Sequence, residues 1–214
     1  MSEIPIQLAV EDLLSEVVLK TLLDRSKNEY RIGTVFNHGG FGYLRKTAPG
    51  WNNAARGTPF LLLTDLDQHH CPPALVTDWL TEPKHPNFIF RIAVREVEAW
   101  ILADKRNFAA FLVLSQNTLP AQPETLDDAK RTLVTLAARS RRTATRSRLV
   151  PKSGSTAKQG PDYNRCLGEF VVKHWDHLEA SANAPSLLRC ISAIENFKPT
   201  WQAAKFVIDG TTPP

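Results

Sequence analysis

Asp65 and Asp67 stand one residue apart at the end of an almost wholly apolar run, Pro59-Phe60-Leu61-Leu62-Leu63-Thr64. Such a run predicts a strand buried on both faces, as in a parallel sheet covered by helices. In open α/β sheets, function gathers at the carboxyl ends of the strands. Residues i and i+2 of a strand point to the same side, roughly 6.5–7 Å apart. Two carboxylates at that spacing, with no basic neighbour before His69, repel each other unless a cation lies between them. A hard divalent ion with oxygen ligands, Mg²⁺ or Mn²⁺, suits them. The neighbouring His69, His70 and Cys71 offer softer donors, but adjacent residues do not readily close on one ion, so zinc is not expected.

Other elements place more carboxylates on the same rim. Ile4 to Val10 predicts a first strand, running directly into Glu11-Asp12 and then an amphipathic helix over 12–25. Asp12 reads as that helix's N-cap, with an extra metal ligand as the alternative. Phe88 to Val94 predicts another strand, running into Arg95-Glu96-Val97-Glu98 and a helix that continues toward Phe111. Between these lie a strand over 30–36, a glycine-rich loop at His38-Gly39-Gly40-Phe41-Gly42-Tyr43, and a helix over 46–56 interrupted near Pro49-Gly50. A helix over 73–81 opens on Pro72-Pro73. Beyond residue 115 the pattern is helical: 127–140, 163–178 and 185–196, with a mobile stretch over 143–162. The expected architecture is α/β, a mainly parallel sheet flanked by helices (1–114), with a C-terminal helical extension (115–206) and a disordered tail (207–214).

At 214 residues and 43% hydrophobic, the chain can build one full core. No apolar stretch approaches the ~20 residues that cross a bilayer. The first residues lack a secretory pattern, so a cytoplasmic protein without membrane attachment is expected. Cys71, Cys166 and Cys190 are widely spaced and read as reduced thiols. The net charge of +4 is unevenly distributed. No acidic residue occurs between Lys130 and Lys158, an interval holding Arg131, Arg139, Arg141, Arg142, Arg146, Arg148 and Lys152. This stretch predicts salt-sensitive contact with a nucleic-acid backbone. A solvated loop, or docking to an acidic partner, is the other reading.

A glutamate after the first strand and an Asp-x-Asp after a later one resemble the TOPRIM fold of topoisomerases, primases and the overcoming-lysogenization-defect nucleases. More closely, the chain resembles a bacterial TOPRIM-like family, domain of unknown function 4276. The matching segments are Val10-Glu11, the loop from His38 to Lys46, Asp65-Leu66-Asp67, and above all Ile92-Ala93-Val94-Arg95-Glu96-Val97-Glu98-Ala99-Trp100-Ile101-Leu102-Ala103-Asp104. The resemblance covers roughly residues 4–112 and continues more loosely around 158–163 and 184–189. In TOPRIM proteins glycine usually follows the glutamate; here it is Asp12.

The resemblance implies a function. Asp65 and Asp67 would hold Mg²⁺ or Mn²⁺, and Glu11 would be a ligand or general acid/base. Glu98, with Glu96 as its rival, would serve a second ion, giving two-metal hydrolysis of DNA or RNA phosphodiesters. Arg91, Arg95 or Lys158 would neutralise charge on the cut phosphate. The expected role is a nuclease effector of anti-phage defence, with an ABC-type ATPase partner. The rival expectation is a non-catalytic nucleic-acid- or partner-binding subunit of such an ATPase complex. Oligomeric state is left open, and Tyr163 is not expected to act as a covalent nucleophile.

Overall fold

The computed structural model describes residues 3–37 and 39–201. His38 and the tail expected over 207–214 lie outside the described residues. Four strands, β1 (Ile4–Val10), β2 (Tyr30–Phe36), β3 (Phe60–Asp65) and β4 (Phe88–Ala93), form one sheet in the order β2-β1-β3-β4. All pairings are parallel, and β1 and β3 are direct neighbours (Val10 opposite Leu63). The protein is α/β, with a parallel sheet flanked by helices.

Alternation along the strands explains why their sequences are apolar almost throughout. Ile6, Leu8, Val10, Leu61, Leu63 and Ile89 face one core. Ala9, Phe60, Leu62, Phe88, Phe90 and Ile92 face another. With both faces covered, neither set can be polar. The second core is closed by α2 (Gly40–Ala54) and α3 (Pro72–Trp79) through Leu44, Trp51, Leu75 and Trp79. The first is closed by α1 (Leu13–Asp24), α4 (Val97–Ala103), α5 (Lys105–Leu112) and α6 (Ala129–Ala138), with α8 (Tyr163–Lys173) and α10 (Pro185–Glu195). It runs without interruption from Ile6 to Phe197, so the C-terminal helices and the sheet share one interior.

Several local expectations are corrected. The glycine-rich segment is the start of α2 rather than a loop. Gly39 and Gly40 take left-handed backbone angles (φ 105° and 60°) and turn the chain into the helix. That helix runs through Pro49 without a break. The helix expected from Val97 to Phe111 is two helices. Asp104, 0% exposed, ends α4 and caps α5 by accepting from the Asn107 amide at 3.2 Å, and it also accepts from the Asp176 amide at 2.7 Å. Likewise the 163–178 helix stops at Lys173, and a short α9 (His177–Ser181) begins under an Asp176 cap. The stretch 143–162 is ordered: it contains α7 (Thr143–Leu149) and a loop pinned at its base. There Gly160 donates to the Leu149 carbonyl at 2.9 Å, and Asp162 donates to that of Arg148 at 3.2 Å.

Candidate functional site

The chain leaves β1 through α1 on one face of the sheet and leaves β3 through α3 on the other. Adjacent parallel strands whose outgoing connections diverge to opposite faces leave a crevice between their carboxyl ends, where α/β proteins bind ligands. Glu11 follows β1, Asp65 ends β3, and Glu96 and Glu98 follow β4, so one edge of the sheet gathers them all.

Each carboxylate is held differently. Asp12 caps α1, its Oδ1 accepting from the Ser15 amide at 2.8 Å, as expected for a cap. Glu11 reaches across to β3, where its Oε1 accepts from the Thr64 hydroxyl and, at 2.9 Å, from the Asp65 amide. Asp65 in turn accepts from the amide of Val97, the first residue of α4, at 3.0 Å. The three strand ends are thus laced β1 to β3 to β4 through side-chain oxygens. Asp67 lies two residues beyond β3, outside the strand, so the strand geometry that aims i and i+2 together does not govern it. It takes a left-handed conformation (φ 48°). Facing it, Arg95 is also left-handed (φ 61°). The Asp67 amide donates to the Arg95 carbonyl at 3.0 Å, and the Arg95 guanidinium donates to the Asp67 carbonyl at 2.9 Å. Non-glycine residues at positive φ are strained, and two that hold each other concentrate that strain at the rim.

Glu98 lies deepest, 2% exposed. Its Oε1 accepts from the Tyr163 hydroxyl at 3.1 Å and lies 3.4 Å from the Lys130 ammonium. Glu96 points elsewhere: its Oε2 accepts from the Lys130 amide at 2.7 Å, in the first turn of α6. Packing therefore separates the two glutamates, and Glu98 is the one whose charge bears on Asp65. Tyr163, 1% exposed and donating to Glu98, is a buried support for that carboxylate. Neither Lys130 nor Tyr163 could be assigned to this site from the sequence. They lie 32 and 65 residues beyond Glu98 on separate helices, and no local pattern marks them.

The electrostatics follow from crowding. Burial, then the charges of Glu98, Glu11, Asp12 and Asp67, push the Asp65 carboxyl well above its ordinary range. Burial also raises Glu11 against the hydrogen bonds from Thr64 and Asp65. Burial pushes Glu98 up to about 7, with Lys130 working in the opposite direction. Burial disfavours the Lys130 ammonium too, yet Glu98 and Glu96 together hold it above its usual value. One lysine thus neutralises only part of the cluster. Crowded, all-oxygen carboxylates of this kind can share protons or hold a hard cation. Among the described residues, no three His, Cys, Asp or Glu side chains are already set around one point as a closed cage. Mg²⁺ does not require one: it retains several waters and is commonly held by one or two carboxylates plus phosphate oxygens. The donor set fits such an ion.

Beside this cluster lies a cavity of about 750 Å³, lined by Glu96, Asp128, Lys130, Arg131, Lys158 and Gln159. Its two acids are engaged by backbone amides, Glu96 with Lys130 and Asp128 with Arg131 at 2.6 Å. The cavity therefore presents cationic side chains next to the carboxylates.

The basic segment divides. Arg148 is not available as a backbone contact: it pairs with Asp162 at 2.6 Å and, through both terminal nitrogens, with Glu169 at 2.9 and 3.0 Å. Those carboxylates hold its protonation above the ordinary arginine range, and it ties α7 to α8. Arg146 donates to the Ser140 carbonyl at 3.1 Å, while its side chain remains on the surface. Arg139, Arg141, Arg142, Lys152 and Lys158 are exposed. Arg91 is engaged by the carbonyls of Phe90 and Arg189, so of the three cations expected to meet a phosphate, Arg95 and Lys158 stand at the rim and its cavity. Cys71, Cys166 and Cys190 are free thiols. Among the described residues no helix is long and apolar enough to cross a membrane.

No protein-family model, curated protein or solved structure matches this chain.

Proposed function

We propose that this chain is a TOPRIM-like, divalent-metal-dependent nuclease, acting in the cytoplasm as an anti-phage effector alongside an ABC-type ATPase. One observation carries the reading. Glu11, Asp65 and Glu98 come from the ends of three neighbouring parallel strands and crowd the crevice where β1 and β3 send their connections apart, with too little positive charge of their own. Asp65 and Asp67 would hold Mg²⁺ or Mn²⁺, with Glu11 and Glu98 as the further oxygen donors. The ion would supply Lewis-acid polarisation of a phosphoryl oxygen and a more acidic water.

The chain's own residues carry the remaining tasks. The Thr64 hydroxyl and the Asp65 amide hold Glu11 in place, and Val97 does the same for Asp65. Tyr163 and Lys130 hold one oxygen of Glu98, and the other would be offered to the ion. Lys130 and Lys158 present ammonium groups in the adjoining cavity, where a phosphodiester would bind and its developing charge would be met.

The test is cleavage of supercoiled plasmid, linear DNA and tRNA by wild type and Asp65→Asn, with Mg²⁺, Mn²⁺ or EDTA. Cutting that needs the ion and is lost in the variant is the expected result. Wild-type cutting in EDTA, or full activity of both Asp65→Asn and Glu11→Gln, overturns the assignment.

A further inference from the structure

A second cavity, of about 350 Å³, lies where the α6–α7 turn meets the end of α8. It is lined by Arg142, Lys173, His174, Asn107 and Phe111, with no acidic side chain among its walls. Arg142, Lys173 and His174 are exposed, and among the described residues none of the three forms an ion pair within 4 Å. The charge of Lys173 reaches Glu169, which is already engaged by Arg148 and Arg165, and the Asp104 carboxylate behind the wall is held by Asn107 and the Asp176 amide. Phe111 is half-buried in the wall beside Arg142 and Lys173, its ring 6.4 Å from that of His174. Two cations in a hollow with no acid among its walls, next to a ring, suit a phosphodiester and its base.

Helix α6 joins this hollow to the cavity beside the carboxylates. Arg131, Thr135 and Arg139 are spaced i, i+4, i+8 and are all exposed, so they form one outer stripe. Cations stand at its two ends, with small residues between them and no acid along it. The ten residues of α6 span about 15 Å. In a stacked, helical strand the phosphates advance about 3.4 Å along the axis, so the stripe covers roughly four stacked nucleotides.

We propose that the Arg142/Lys173/His174 hollow is a phosphate exosite for a nucleic-acid strand. It grips the backbone about four nucleotides from the carboxylate rim, with the α6 stripe as the track between. The inference rests on the nuclease reading only for what lies at the far end of the track.

The test measures binding without turnover, by fluorescence anisotropy of labelled oligonucleotides in EDTA on the Asp65→Asn background. Adding Arg142→Gln with Lys173→Gln is expected to weaken a twenty-nucleotide strand about tenfold and to reduce the dependence of log K on log salt by roughly 1.4–1.8, two phosphate contacts' worth. The parent's affinity is expected to step up as the strand grows from about three to about eight nucleotides, long enough to bridge both grips, and the neutral pair is expected to lack the step. The charge-preserving pair Arg142→Lys with Lys173→Arg should retain slope and step, which separates lost contacts from a damaged fold. An unchanged slope and step in the neutral pair overturn the exosite. Loss of both in the charge-preserving pair overturns it equally. A wild-type chain that cuts nothing, yet shows these binding differences, retires the nuclease reading and leaves the exosite standing.

Discussion

The acidic rim and the basic stripe are both runs of like charge, and the fold treats them oppositely. At the rim, Glu11, Asp65 and Glu98 are drawn inward, and identified oxygens of each are engaged by Thr64, the Asp65 and Val97 amides, Tyr163 and Lys130. Along α6 and the following turn, Arg131, Arg139, Arg141 and Arg142 remain in solvent, and among the described residues none of them forms an ion pair within 4 Å. Buried charge that is not neutralised becomes shifted protonation and latent affinity for a cation. Exposed charge becomes salt-dependent attraction for a polyanion. The contrast separates positions where a single atom matters from positions where only the sum of charges matters.

Four outcomes would break or sharpen that contrast. The largest concerns Asp65. Its loss as a ligand is expected to reduce cleavage by roughly a thousandfold or more, since metal-based charge stabilisation is worth several kcal/mol. Asparagine retains an oxygen to accept from Val97 while removing a crowded charge, so the metal-free variant should melt no lower than wild type, as differential scanning fluorimetry would show. Single neutralisations on the stripe, such as Arg139→Gln, should change cleavage only modestly and should do so through salt dependence. A stripe variant as damaging as Asp65→Asn would end the comparison.

A smaller effect is expected from Gly160. A Cβ there would lie 2.2 Å from the Arg148 carbonyl oxygen, backbone against backbone. Gly160→Ala should cost about 1–3 kcal/mol, the usual range for overpacking, or roughly 2–12 °C in melting temperature for a chain of this size. It should also release the loop carrying Lys158. A variant with wild-type melting would show that this loop is not pinned where it is described.

The smallest effect is the pH dependence of the metal-free protein. Glu98 sits near about 7 when folded, against its ordinary 4.5, and Glu11 and Asp65 are raised as well. The folded state therefore binds more protons than the unfolded state between those values. These groups add stability at acid pH and lose it as pH rises through their folded values. His177, lowered by burial, acts in the opposite sense near its ordinary 6.5. Melting temperature should rise as pH falls from 8 to 5. The rise should be smaller in Glu98→Gln, and it should flatten when Mg²⁺ is added. Identical profiles for wild type and Glu98→Gln would mean that Glu98 is not a raised carboxyl.

Part of this was legible from residue types alone. Short β-rich runs such as Phe60-Leu61-Leu62-Leu63 and Phe88-Ile89-Phe90, bounded by turn residues, suit strands covered on both faces, so the α/β class and the position of the acids at strand ends followed from composition and length. The Asp12 cap and the proline start of α3 are local chemistry and read correctly. Where local patterns competed with packing, the reading failed. Gly39 and Gly40 looked like a loop but turn the chain into α2, because burial of Leu44, Ala48 and Trp51 in the second core outweighs the poor helix propensity of Phe41-Gly42-Tyr43. Asp104 looked like a position within one helix, yet its buried carboxylate does better capping the next helix and holding Asp176.

The sequence by itself determined the four strands and which of their ends carry charge, because burial on two faces and capping are set by neighbours within a few residues. Only the tertiary structure decided that the charge of Glu98 rather than Glu96 bears on Asp65, that Lys130 and Tyr163 support Glu98, and that Arg148 serves the fold while Arg142 faces solvent. Those outcomes depend on helices brought together from distant parts of the chain, where the burial of one charge is compensated by a partner that no local spacing announces.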